Sequence, residues 1–294
     1  MKILVTGATG FIGKNLIKSL LDKNYSIVVL VRHNSNTLCI DERAVIFTYS
    51  HNINQLITLF KTEDFDGVIH LASLFLASHK SEEIPSLILS NIQFGTELLE
   101  VCKQAKTKWF INTGTFWQHY QNETYNPVNL YAATKQAFED IAKYYTETSD
   151  LIFVTLKLND TFGPNDTRNK IFNLWNQLSQ TNGTLEMSPG EQIIDINYIE
   201  DIVKGYETLI NHLSCDTIAA KNKAFALYSN ERMSLKNLSK VFEASTGKIL
   251  TIHWGGKEYR EREVMIPCDT IPPLPDWEQK YTLADAIQKT ISDD

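Results

Sequence analysis

Short apolar runs that empty into small-residue turns recur through the first half of the chain. Ile3-Leu4-Val5-Thr6, Val28-Val29-Leu30-Val31, Gly67-Val68-Ile69-His70 and Trp109-Phe110-Ile111-Asn112 read as strands. Near-continuous hydrophobic stretches of this length suit a parallel sheet buried on both faces. Between them, Lys14 to Asp22 and Asn91 to Val101 carry apolar residues at helical intervals, as helices covering a sheet do. Strand alternating with helix predicts an α/β, doubly wound parallel sheet. Past Gly163-Pro164 the pattern changes. A polar stretch from Asn165 to Lys170 precedes a helical run from Ile171 to Ser179, residues 195–213 read as a further helix, and Phe225-Ala226-Leu227 as a further strand. A proline-rich connection through Pro267, Pro272, Pro273 and Pro275 leads to a last helix at Leu283 to Ile291.

With 294 residues, 43% of them hydrophobic, the chain can bury one large core or two smaller ones. A formal net charge of -7 argues against nucleic acid or an anionic membrane as partner. The four cysteines, Cys39, Cys102, Cys215 and Cys268, are scattered, with no Cys-x-x-Cys pair and no clustered histidines. Neither a disulfide frame nor a metal site is expected, and reduced thiols fit a cytoplasmic protein. No apolar run approaches the ~20 residues needed to cross a bilayer, and the first strand runs directly into a motif rather than a signal peptide. The sequons at Asn122 and Asn182 are then accidental.

The junction of the first strand and first helix carries Gly7-Ala8-Thr9-Gly10-Phe11-Ile12-Gly13. Gly7 permits a tight turn, Gly10 lets backbone approach a pyrophosphate, and Gly13 allows the helix to pack on the strand with its N-terminus facing the anion. In this position the glycines predict a Rossmann-type dinucleotide site, with Thr9, Phe11 and Ile12 beside them. Leu71 and Ala72 lie in the turn after Gly67-Val68-Ile69-His70, where backbone can lie against a cofactor. The second strand ends Val31-Arg32-His33-Asn34-Ser35, without the acid that usually holds the ribose of NAD. Arg32, helped by Ser35, suits the extra phosphate of NADP instead; the alternative is a solvated loop arginine. NADPH is the expected cofactor.

Tyr131-Ala132-Ala133-Thr134-Lys135 places a phenol and an ammonium on one helix face, about 6 Å apart along the axis. The cation is expected to favour the phenolate and draw the phenol toward neutrality, making Tyr131 a proton donor and acceptor. Thr113 and Thr115 stand at the C-terminal end of their strand, where ligands bind in open parallel sheets. Either could hydrogen-bond a substrate oxygen, and a turn-capping role is the alternative for Thr115. His70 reads as a packing residue.

These motifs, with Asn91 and Gly95-Thr96, arrive in the order and spacing of the extended short-chain dehydrogenase/reductase family, which the chain resembles over nearly its whole length. The resemblance implies a nucleotide-sugar enzyme in which Thr113 positions the sugar oxygen, Tyr131 transfers the proton and Lys135 also holds the nicotinamide ribose. It implies a dimer through helices such as 91–106 and 128–146. Residues 1–164, with 195–213 and about 224–229 returning, would form the NADP-binding domain. Residues 165–194 and 230–294 would form a smaller, interleaved nucleotide-sugar lobe.

Dehydratases of this family carry an Asp-Glu pair after the threonine, whereas this chain has Gly114-Thr115, and so lacks the acid and base for elimination. Members that epimerise beside a carbonyl place a cysteine in that turn, and none is here. Reduction of a keto-sugar by NADPH and C4 epimerisation through a transient ketone with held NAD remain, together with a non-catalytic NADP-binding regulator as a reading of another class. The segment from Thr115 through Phe116, Trp117 and Tyr120 to Tyr131 resembles the CDP-abequose and CDP-paratose synthase group, 4-ketoreductases of CDP-linked dideoxy sugars used in surface polysaccharide (O-antigen) synthesis. A CDP-linked substrate is therefore favoured, with the aromatics either against the deoxygenated sugar face or packed into the core. Trp117, Asp160, Arg168, Lys170 and Arg262, together with Thr115, are the expected substrate contacts, with Arg260 the alternative to Arg262 for closing on the diphosphate. Family members often have an arginine where this chain has Ile194, a loss for which Arg168 could compensate.

Overall fold

The computed structural model describes residues 1–181 and 183–292; the sequon asparagine Asn182 lies outside the described residues. In chain order the first part runs β1 (Lys2–Thr6), α1 (Phe11–Asp22), β2 (Ser26–Arg32), β3 (Val45–Tyr49), α2 (Ile53–Glu63), β4 (Gly67–His70) and α3 (Ile84–Ile88). A π-helical turn over Leu89–Gln93 joins α3 to α4 (Phe94–Ala105). There follow β5 (Trp109–Thr115), α5 (Leu130–Glu147) and β6 (Ile152–Leu158). The second part comprises β7 (Asp160–Phe162), α6 (Ile171–Ser179), β8 (Leu185–Met187), β9 (Ile193–Ile194), β10 (Ile196–Tyr198), α7 (Ile199–Cys215), β11 (Lys223–Ala226), β12 (Met233–Ser234), α8 (Leu235–Thr246), β13 (Ile252–Trp254) and α9 (Leu283–Ser292).

Seven strands form one parallel sheet in the order β3-β2-β1-β4-β5-β6-β11. The order reverses between β1 and β4, so a crevice opens at their C-terminal ends, where doubly wound sheets bind ligands. The strand cores are apolar throughout, as the unbroken hydrophobic runs require: Ile3, Leu4, Val5, Val29, Val68, Ile69, Phe110 and Ile111 are all buried. One apolar cluster joins Ile3, Val5 and Leu16 to Tyr206 and Leu209 of α7, while the other joins Leu4 and Val68 to Leu98 of α4 and Phe138 of α5. These are the two faces of the sheet. Strand β11 pairs with β6 from more than sixty residues later in the chain, so the sheet is completed by a return from the second part.

Outside the main sheet, β7 pairs with β10, β9 with β12 and β8 with β13. These small pairs, with α6 and α8, build one wall of a second cleft. No helix among the described residues is long and apolar enough to cross a membrane.

Candidate active site

At the switch point lies a cavity of about 360 Å³ lined by Gly7, Thr9, Gly10, Arg32, Leu71 and Ala72. Gly7 has φ +72°, and a Cβ there would stand 2.7 Å from both Ala72 N and Leu71 C; only glycine combines the turn with that approach. A Cβ on Gly13 would overlap Gly7 O, which fixes α1 close to β1. No side chain caps the first turn of α1, leaving backbone N–H groups for an anion. A dinucleotide therefore fits this cradle. Phe11 is buried and Gly13 sits beneath the loop, so they shape the cradle rather than line it.

Thr6 and His70 hold the turn that closes the cavity. His70 Nδ1 lies 2.9 Å from Thr6 Oγ1, which also accepts from Ala72 N at 3.2 Å. The imidazole packs among Phe94, Phe110 and Phe138, and burial pushes it down to about 3, so it is neutral and structural. At the other end, Arg32 is exposed and has no carboxylate partner among the described residues, with Ser35 beside it accepting from Arg32 N at 3.2 Å.

Helix α5 delivers Tyr131 and Lys135. Asn129 caps it by accepting from Ala132 N at 3.0 Å, and donates to the carbonyls of Leu76 and Ala77. A second asparagine, Asn91 in the π-helical turn, is 1% exposed. Its Oδ1 accepts from Leu74 N at 2.7 Å and from Ser73 Oγ at 3.2 Å. Its Nδ2 donates to Leu74 O and to Thr134 Oγ1, both at 3.0 Å. All four hydrogen-bonding positions of the amide are used, and they bolt the segment after β4 onto α5.

Tyr131 stands beside residues that line two different cavities. Its phenol is influenced by the hydroxyl of Ser73, which lines the dinucleotide cavity. Its ring packs edge-on against Phe75 at 5.1 Å, which lines the second cleft. The phenol is pushed up to about 12 by burial, opposed by the Ser73 hydroxyl. Lys135, 2% exposed, is pushed down to about 8 by burial, with Glu139 opposing and the Lys157 ammonium adding to the fall. The expectation that Lys135 draws the phenol toward neutrality is thus not met. Removal from water penalises the charged form of each group, which is the largest cause of both shifts.

Thr113 Oγ1 lies 2.6 Å from Tyr206 Oη, so the hydroxyl is held from α7 rather than waiting unpaired. Thr115 caps the short helical turn after β5: its Oγ1 accepts from Trp117 N at 3.3 Å, and its own N–H donates to Gln118 Oε1 at 3.0 Å. That is the capping alternative, and it aims Trp117.

The second cleft, about 480 Å³, is lined by Phe75, Trp117, Asp160, Lys170, Gln192 and Arg260, among others. Asp160 and Lys170 pair at 2.6 Å, with the ammonium 5.2 Å from the Phe75 ring centroid. Trp117 packs on Phe75 at 5.4 Å, and the Arg260 guanidinium lies 5.6 Å from the Trp117 centroid. The other two arginine assignments change. Arg168 does not line this cleft: it grips Asp166 through Nε and Nη2, both at 2.7 Å, donates to Thr161, and covers the Phe11 ring at 4.4 Å. A guanidinium bound bidentately two residues from its own acid is already spent, so it does not stand in for the arginine missing at Ile194. Arg262 turns to Asn126 Oδ1 and to the Tyr120 ring at 4.3 Å, leaving Arg260 on the cleft. Sequence reasoning missed Phe75, Ser73 and Tyr206. Ser73 was visible in the turn that was read as a cofactor contact, whereas Tyr206 sits mid-helix among apolar residues with nothing to mark it.

Residues 3–218 match the model of the NAD dependent epimerase/dehydratase family. The chain belongs to that family. It is 26% identical over 297 residues to CDP-abequose synthase of Salmonella muenchen, covering 99% of this chain and 97% of that one. Its fold matches UDP-glucose 4-epimerase of Thermotoga maritima with UDP-glucose at TM-score 0.86 and 20% identity, over 100% of this chain and 98% of that one. It likewise matches UDP-glucuronic acid 4-epimerase of Bacillus cereus with UDP-glucuronic acid and NAD at TM-score 0.83 and 22% identity, with the same coverage. The chain is thus an extended short-chain dehydrogenase/reductase of the nucleotide-sugar-modifying kind, with a Rossmann-type fold.

Proposed function

We propose that the protein is a cytoplasmic, homodimeric NADPH-dependent reductase of a nucleotide-linked 4-keto-deoxy sugar, CDP-linked by preference, acting in surface-polysaccharide sugar synthesis. The observation that carries the reductase over the epimerase is the rim of the dinucleotide cavity. Arg32 and Ser35 line it, and no carboxylate does among the described residues. An arginine fork attracts the adenosine phosphate of NADP, and a carboxylate at that place would repel it. A reductase must exchange its nicotinamide each turnover and draws on NADPH; an epimerase returns its hydride to the same sugar. Likeness over nearly the whole chain to CDP-abequose synthase supports the same reading.

NADPH, once bound, supplies the hydride for C4. The chain's own residues orient the ketone and supply the proton. Tyr131, beside residues of both cavities, gives its phenolic proton to the oxygen on C4 as negative charge gathers there. Thr113, oriented by Tyr206, donates a hydrogen bond to that oxygen. Lys135 lies one turn along α5 from the phenol and offsets the charge left on it. Phe75 and Trp117 cover the apolar face of the deoxygenated sugar, and Lys170 with Arg260 faces the diphosphate. The solved epimerases whose fold this chain shares favour the second reading, C4 epimerisation with NAD. Supplying NADPH with a CDP-4-keto-3,6-dideoxy sugar separates the two: the reductase consumes both, and the epimerase interconverts sugars with no net loss of cofactor.

A further inference from the structure

The turn after β5 carries a buried polar network that the proposed mechanism does not use. Gln118 is 0% exposed. Its Oε1 accepts from Thr115 N at 3.0 Å, while its Nε2 donates to Gln136 Oε1 at 2.8 Å and to Glu139 Oε1 at 3.0 Å. Both of those acceptors lie on α5, where Tyr131, Lys135 and Glu139 follow at intervals of four along one face. His119 makes a second tie. The Lys157 ammonium of β6 can only donate, so His119 Nε2 accepts from it at 2.9 Å and the ring's Nδ1–H faces Glu123 O at 3.1 Å. Lys157 Nζ also lies 3.4 Å from Glu139 Oε1, with the lysine side chain 3% exposed and the glutamate 15%. One carboxylate oxygen thus gathers the donors of both ties.

A buried ion pair of this kind adds little to stability, because desolvation cancels much of the Coulomb gain. What it supplies is geometry. The backbone returns on itself beside the tied residues: Asn126 N donates to Gln118 O at 2.9 Å, and Val128 N donates to Trp117 O at 2.8 Å. Trp117, the residue just before them, lines the second cleft. Its ring packs on Phe75 at 5.4 Å, and Phe75 packs on Tyr131 at 5.1 Å. Indole and phenol are therefore set by the same helix, one through Gln118 and the other directly. We infer that Gln118 is a positioning residue that holds the Trp117 indole in the sugar cleft, by tying its turn to Glu139 on the helix that carries Tyr131. His119 and Lys157 steady the same turn. Loss of the Gln118 tie frees the indole, so the sugar is held less well while proton transfer from Tyr131 continues.

The role rests on Trp117 meeting the sugar of the proposed reductase, yet it can be read without turnover. The chain has five tryptophans. Labelled with 5-fluorotryptophan, each gives a fluorine resonance, and that of Trp117 is the one lost in Trp117→Phe. Gln118→Glu sets two carboxylates against each other, whereas Gln118→Glu combined with Glu139→Gln restores one acid and one amide with their places exchanged. The expected result is a Trp117 resonance that shifts or splits in Gln118→Glu while those of Trp109, Trp175, Trp254 and Trp277 hold, and that returns in the paired variant. With NADPH and the keto sugar, KM for the sugar should rise about tenfold in Gln118→Glu, with kcat held, and fall back in the paired variant. An unmoved Trp117 resonance in Gln118→Glu overturns the inference, as does a shift that the paired variant leaves in place, or one in which all five resonances move together. Failure of the reductase reading would show instead as NADPH left unconsumed by the unsubstituted protein, whatever the fluorine spectrum does.

Discussion

Tyr131 rests as a neutral phenol, pushed up to about 12, while Lys135, pushed down to about 8, stays mostly charged at neutral pH, and burial is the main cause of both shifts. A protonated phenol at neutral pH is what a reductase needs, because its first act is to donate. Tyr131→Phe should lower turnover by roughly 100- to 10,000-fold while NADPH still binds, which stopped-flow turnover and a fluorescence titration check together. The Lys135 shift also carries a stability consequence. Its pKa is near 8 in the fold and 10.5 in its absence, so below pH 8 the fold bears the full cost of a buried charge. That cost falls as pH rises from about 8 to about 10.5, where the unfolded chain holds more protons. Lys135→Met should therefore raise stability at pH 7 by on the order of 3 kcal/mol, with the gain fading by pH 10.5 in urea melts. At the cavity rim, Arg32→Asp should weaken NADPH binding by roughly 10- to 100-fold and change NADH binding far less. Equal losses for both cofactors would remove Arg32 from the phosphate.

Two elements carry the site, the segment after β4 and helix α5, and they differ in how far the sequence disclosed them. The glycine loop and the Tyr-Lys pair are local patterns: their spacing dictates a turn and a helix face whatever lies elsewhere, and the structure places them accordingly at the switch point and on α5. Arg168 is a local pattern that was misjudged, since Asp166 two residues earlier signals a side chain already engaged. The Thr113–Tyr206 bond joins residues 93 apart in the chain, and the choice of Arg260 over Arg262 depends on how the 255–272 segment lies across the 116–126 turn. Neither follows from spacing. His70 shows the same division, because its packing role was legible while its consequence for pH was not. Buried and pushed down to about 3 from an ordinary 6.5, it stays neutral in the fold while the unfolded chain takes up a proton. Stability is therefore full above about pH 6.5 and is lost as pH falls toward 3. His70→Gln should flatten that part of the profile in denaturant melts between pH 7 and pH 4; an unchanged slope would assign the acid loss to other groups.

Over the whole molecule, the return of α7 and β11 to the main sheet ties the wall of the second cleft to the dinucleotide cavity through one continuous apolar cluster. The two cavities are therefore held in register by the core itself, with Tyr131 beside residues of both. Ile84, Ile88 and Leu89 leave apolar surface exposed around α3, and for the proposed homodimer light scattering should give about twice 33.6 kDa. The most direct test of the central reading is to mix the protein with NADPH and a CDP-4-keto-3,6-dideoxy sugar and follow nicotinamide absorbance alongside the sugar products. The account predicts loss of one NADPH for each 4-hydroxy sugar formed, abolished in Tyr131→Phe. Interconversion of two sugars with NADPH untouched, or no conversion of any 4-keto sugar nucleotide, would contradict it.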